Sequence, residues 1–225
     1  MAAAMVETCR KVLYSMIIAG DSWGCGEWQI GSEIFPICVH KGIEQYAIDE
    51  GMKVRNLSRG GDSNQDQVNI VANSNVYNQQ VFWFITDPLR DLEPTIENPM
   101  PLAQESLRKT FLAINQLSIE NNLEIFVIGG MCDLEGFVST DNYNFEVVIP
   151  SVNKLLHKDC DILSIYSDIV AAEQVIKNRQ YALDVFDQIE KKKTFWKSHP
   201  ETFPDGGHPG RSAHHYLFEY LKQYM

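Results

Sequence analysis

Apolar positions along the chain gather into short runs separated by longer stretches of mixed pattern. Five runs stand out: Val12–Ala19, Met52–Leu57, Gln80–Ile85, Leu123–Ile128 and Asp161–Tyr166. Two of them, Val81-Phe82-Trp83-Phe84-Ile85 and Ile125-Phe126-Val127-Ile128, contain no polar residue. Unbroken apolar runs of this length suit strands covered on both faces, as in a parallel sheet. Between the runs the period changes. Leu107, Phe111, Ile114 and Leu117 recur at helical spacing, with Glu105, Arg108, Lys109 and Glu120 off that stripe. Gly42–Gly51 reads as a helix closed by its terminal glycine. Asp168–Lys191 reads as a long helix, and Tyr216, Leu217, Tyr220, Leu221 and Tyr224 as the stripe of a last one. Alternating strands and helices predict an α/β fold, a parallel sheet with helices on both faces.

Two segments break this rhythm. Asp91–Leu102 carries Pro94, Pro99 and Pro101 and is expected to be a loop, since proline interrupts a continuous helix. Glu135–Pro150 mixes Gly, Ser, Thr and Asn with aromatics and is expected to be a second loop elaboration. The chain of 225 residues is read as one domain, 1–225.

In a parallel sheet, ligands gather beyond the carboxyl ends of the strands. That places four segments on one edge: Gly20-Asp21-Ser22 after the first strand, Ser58-Arg59-Gly60-Gly61-Asp62-Ser63-Asn64 after the second, Thr86-Asp87-Pro88-Leu89-Arg90-Asp91 after the third, and Gly129-Gly130-Met131-Cys132-Asp133 after the fourth. Near the far end stands Asp205-Gly206-Gly207-His208-Pro209. A serine at a strand end, with an acid and a histidine one turn apart, is an arrangement for nucleophilic acyl transfer.

Composition narrows the partners. The net charge is −11. Such a surface disfavours nonspecific nucleic-acid binding, which needs Lys and Arg, and disfavours anionic membranes. Hydrophobic residues make up 44 %, enough for a sizeable core. The five cysteines (Cys9, Cys25, Cys38, Cys132, Cys160) lack paired short spacings and are read as reduced packing thiols, with no zinc site and no cofactor. No signal peptide or membrane span is read, so the expected setting is the cytoplasm, with a virion component as the other option.

Taken singly, the blocks have ordinary structural roles. Asp21 or Ser22 suits a helix N-cap, Gly60-Gly61 a turn, and Asp205 with His208 a solvated loop pair. Taken together and in order, Gly20-Asp21-Ser22, Asn56-Leu57-Ser58-Arg59-Gly60-Gly61-Asp62 and Asp205-Gly206-Gly207-His208-Pro209 resemble the SGNH/GDSL hydrolase superfamily, over nearly the whole chain. The resemblance implies a flavodoxin-like three-layer α/β/α sandwich on a five-stranded parallel sheet. It implies metal-free ester hydrolysis, with Ser22 as nucleophile, His208 as base and Asp205 orienting it. The backbone N–H groups of Ser22 and Gly61 would form the oxyanion hole. The superfamily's third donor, an asparagine side chain after the third strand, is missing, because Asp87 stands in its place. Asp87, Thr86, Asn64 and Arg90 are the candidate substitutes, with neutralisation of Asp87 the alternative role for Arg90.

Trp23, Trp28, Arg90 and Asp133 are candidate substrate contacts, with core packing the competing role for the tryptophans. Cys25 is a rival nucleophile without family support. His199 is a decoy for His208, His214 and His215 are surface or packing groups, and Lys191-Lys192-Lys193 is a solvated helix end. Two readings follow. One is a serine esterase acting on a small-molecule or carbohydrate ester, O-acetyl carbohydrate among them. The other is a binding or structural protein on the same fold with weak or lost turnover, such as a phage or cell-surface component.

Overall fold

Strands β1 (Met16–Ala19), β4 (Val54–Asn56), β5 (Gln80–Ile85), β6 (Glu124–Gly129) and β7 (Glu146–Ile149) form one sheet in the order β4-β1-β5-β6-β7. Every neighbouring pair is parallel. The structure is a computed structural model that describes residues 16–30, 36–92, 99–134, 142–158 and 193–225. The predicted runs at 161–166 and 168–191, and the start of the first run, lie outside those residues.

The unbroken apolar runs are buried on both faces because two layers cover the sheet. One set of alternate residues, Ile17, Ala19, Val81, Trp83, Ile85, Ile125 and Val127, packs on α3 (Asn64–Ala72) through Val68 and Val71. The same face meets α4 (Pro99–Asn121) through Leu107, Phe111 and Ile114. The other set, Met16, Ile18, Phe82, Phe84, Phe126 and Ile128, packs on α2 (Ile43–Asp49) and on the C-terminal helix (Arg211–Leu221). The period-2 alternation of a strand thus divides one apolar run between two cores. This is the predicted α/β/α sandwich.

Four features differ from the sequence reading. The segment 99–102 is helix, not loop. Pro99 and Pro101 occupy the first turn of α4, where backbone N–H groups have no intrahelical partner to lose. Part of the 135–150 segment is β7, an edge strand of four residues. A short hairpin of β2 (Glu27–Ile30) and β3 (Pro36–His40) stands apart from the main sheet. In the last helix the buried side is Ala213, His214, Leu217, Phe218 and Leu221, whereas Tyr216 is 52 % exposed.

The strand order, counted within the sheet, is 2-1-3-4-5, and the connections change direction between β1 and β5. Ligand sites of doubly wound sheets lie at such a switch point, beyond the carboxyl ends.

Candidate active site

Ser22 opens α1 (Ser22–Cys25) one turn past β1. Gly20 holds the sharp bend at φ +141°, and a Cβ there would stand 2.7 Å from both Cβ and O of Phe84. No other residue fits that approach. Asp21 caps the short helix, its Oδ1 accepting from the Trp23 N–H at 3.0 Å.

The far end of the chain returns to this corner through aromatic packing. Phe203 is 1 % exposed, and its ring lies 6.1 Å from that of Trp23 and 6.1 Å from that of Trp196. Trp23 follows Ser22 and Phe203 precedes Asp205 by two residues, so one apolar contact draws the two polar blocks together. His208 Nε2 lies 2.9 Å from Ser22 Oγ, and His208 Nδ1 lies 2.6 Å from Asp205 Oδ2. Asp205 Oδ1 accepts from the N–H groups of Gly207 (2.9 Å) and His208 (2.7 Å). Burial pushes the Asp205 carboxyl upward. The hydrogen bond and charge of His208, with the two backbone donors, outweigh it and hold the group below the usual carboxylate range. A carboxylate that stays ionised keeps the Nδ1 proton in place and leaves the Nε2 lone pair toward the serine.

Trp28, from β2, completes one wall. Its indole N–H donates to the Ser22 carbonyl at 2.7 Å and its ring centroid lies 5.7 Å from that of His208. A Cβ on Gly60 would meet the same ring at 3.0 Å. Gly61 has φ +85° with no atom within 4 Å of a Cβ position, so backbone shape rather than crowding calls for glycine.

The candidate substitutes for the missing asparagine are engaged elsewhere. Asp87 is fully buried and caps the turn at Pro88–Asp91, accepting from the Leu89 N–H at 2.9 Å. Asn64 spends both ends of its amide on Thr86, donating to its carbonyl and accepting from its N–H, each at 3.0 Å. The Thr86 hydroxyl donates to Asp21 Oδ2 at 2.5 Å. Arg90 pairs with Asp21 Oδ2 at 3.1 Å.

Two substrate candidates are corrected by burial: Trp23 is 0 % and Asp133 2 % exposed, so neither side chain meets solvent. The Cys25 thiol is pushed up to about 12, by burial first and by the nearby Asp21 charge second, which disarms it as a nucleophile. His199 bonds the Phe195 carbonyl at 2.8 Å, within an aromatic cluster. No group of three metal-ligating side chains occurs among the described residues, and no helix among them is long and apolar enough to cross a membrane. Phe203 bears no chemical signature that would mark its role in the sequence.

Because an asparagine at position 87 keeps the acceptor for the Leu89 N–H, Asp87→Asn is expected to change turnover less than about 2-fold and stability by less than about 1 kcal/mol. Steady-state kinetics and urea unfolding check this. A large rise in rate would place the carboxylate against the reacting oxygen after all.

No protein-family model matches the chain, and no curated protein does. Solved structures with a similar chain path include the YxiM protein of Bacillus subtilis, 12 % identical over 95 % of this chain and 57 % of that one, with a TM-score of 0.44. The chain thus spans little more than half of that protein. A lipase/acylhydrolase from Enterococcus faecalis is 12 % identical over 94 % of this chain and 95 % of that one, with a TM-score of 0.41. An acetyl-xylooligosaccharide esterase from Geobacillus, as a point mutant, is 13 % identical over 93 % of each chain, with a TM-score of 0.43. The chain resembles the SGNH/GDSL hydrolases in its three sequence blocks and has the five-stranded parallel sheet that the resemblance implies.

Proposed function

We propose that the protein is a serine hydrolase of the SGNH type, cleaving an ester through an acyl-enzyme. The observation that carries this reading is the unbroken chain Ser22 Oγ–His208 Nε2–His208 Nδ1–Asp205 Oδ2, with links of 2.9 and 2.6 Å. A serine hydroxyl is a weak nucleophile until a base takes its proton. In this reading Ser22 Oγ attacks the acyl carbon as its proton passes to His208 Nε2. The carbonyl π-bond opens to an oxyanion held by the N–H groups of Ser22 and Gly61. Collapse breaks the bond to the alcohol, which leaves with the proton from His208. Water then attacks the acyl-serine, again deprotonated by His208, and releases the acid and Ser22.

The half-buried ring of Trp28 beside His208 offers the leaving alcohol a flat apolar face. That supports a carbohydrate ester, with acetylated sugars the class to try first. A second reading, a binding protein with weak turnover, is favoured by the lack of a side-chain donor among Asp87, Asn64 and Thr86.

A serine-directed fluorophosphonate with an activated acetate ester separates the two. Covalent labelling and turnover in the wild type, both lost in Ser22→Ala, are expected. Equal rates in both proteins with no labelling would exclude the hydrolase.

A further inference from the structure

Ser22 and Gly61 sit on different turns, after β1 and β4, and the anion assigned to their N–H groups requires a fixed spacing between them. Two side chains stitch these turns from behind. Gln67 accepts from the Gly20 N–H at 2.9 Å and donates to Asp62 Oδ2 at 2.7 Å. Arg90 spans the same gap with charge: one guanidinium nitrogen donates to Asp21 Oδ2 at 3.1 Å and to the Asp62 carbonyl at 3.2 Å. Its other terminal nitrogen lies 3.4 Å from Met131 Sδ, on the loop after β6. The Arg90 side chain is 15 % exposed and the Asp21 side chain 0 %. Asp21 immediately precedes Ser22, and Asp62 immediately follows Gly61.

We propose that Arg90 is a positioning residue that locks the Gly61 turn against the Ser22 turn and so sets the spacing of the two backbone donors. This rests on the hydrolase reading above. With Asp87 capping its own turn and Asn64 bound to the Thr86 backbone, two backbone donors must hold the anion. Their alignment then matters more than in a site that adds a side-chain donor. A guanidinium suits the task because its planar fork reaches several acceptors at fixed angles, whereas an ammonium is a single point charge on a flexible stem.

The test compares wild type, Arg90→Lys and Arg90→Ala on an activated acetate ester, with thermal midpoints and backbone amide spectra recorded in parallel. Arg90→Lys keeps the charge that Asp21 needs and is the variant expected to stay folded. Its kcat is expected to fall about 10- to 100-fold with KM within about 3-fold of wild type, the scale of an ångström-sized misplacement. The Gly61 and Ser22 amide resonances should shift with it. Added guanidinium should restore part of the lost kcat in Arg90→Ala, a recovery that a purely structural role would not give. Full kcat in Arg90→Lys with unshifted Gly61 and Ser22 amides would overturn the proposal. So would a loss that only tracks the unfolded fraction and ignores guanidinium. The amide comparison needs no turnover. If wild type fails to label and to hydrolyse, the hydrolase reading falls, and the spectra still decide whether Arg90 fixes the two turns.

Discussion

Removing the imidazole, in His208→Ala, is expected to lower kcat on an activated acetate ester by a factor on the order of 10⁴–10⁶, the scale seen when one member of such a constellation is deleted. The reason lies in the two short contacts. His208 is the group in contact with Ser22 Oγ, and its other nitrogen is spent on Asp205. Asp205→Asn is the sharper probe, because it preserves shape. Its amide can present N–H to the ring, which turns the imidazole to the tautomer carrying a proton at Nε2. The serine then faces a donor instead of an acceptor, and kcat is expected to fall on the order of 10⁴-fold. Single-turnover acylation, followed by fluorophosphonate labelling rates, checks both variants. An Asp205→Asn enzyme within 10-fold of wild type would mean that the carboxylate does not set the tautomer.

The second large effect concerns stability in acid. His214, on the C-terminal helix, is 1 % exposed and neither ring nitrogen makes a hydrogen bond. Burial pushes it down to about 4. The backbone of Gly26 and Pro209 pulls weakly the other way without reaching hydrogen-bonding geometry, and His40 and His208 add repulsion. The unfolded chain therefore takes up a proton near pH 6.5 that the folded chain refuses. Stability from this group is complete above pH 6.5, declines as pH falls toward 4, and is level below that. The full loss is about 3 kcal/mol. Asp205, held below its ordinary value, acts in a lower window: its contribution is present above the ordinary carboxylate range and is lost as pH falls beneath it. Urea unfolding of wild type and His214→Leu between pH 7 and 4.5 separates the two. The variant should show a much flatter decline across that range. Equal declines would remove His214 as the titrating group.

Much of the architecture was legible because burial on both faces writes an unbroken apolar word. The strand predicted at Gln80–Ile85 is β5 residue for residue, and Leu123–Ile128 is β6 shifted by one. β7 was obscured because an edge strand needs only partial cover: Glu146 is exposed and only Val148 and Ile149 are buried. The start of α4 is hidden because proline breaks a helix interior but is tolerated in a first turn, and the sequence alone does not mark where that turn begins. At the site, Ser22, Asp205 and His208 stand out in the sequence and do converge, because few residue types can serve as hydroxyl, imidazole and carboxylate. The side-chain contacts of Asn64, Thr86 and Arg90 around them do not show in it. Whether Asn64 faces a ligand or a neighbouring backbone depends on a rotamer, and the sequence shows no rotamers. The sequence leaves His214 as a surface or packing group, and its burial depends on how the C-terminal helix is rotated against α2.

The contact between Ser22 and His208 joins residues 186 positions apart. At 5–20 residues per second, translation reaches His208 roughly 10–40 s after Ser22. For that interval the nascent chain carries Ser22 without His208 or Asp205. Sheet strands β1, β4 and β5 can pair during synthesis, but Ser22 meets His208 only once the block at 205–209 emerges and Phe203 docks. The order of the blocks along the messenger thus acts as a delay, in which the contact between Ser22 and His208 forms only after the block at 205–209 has been made.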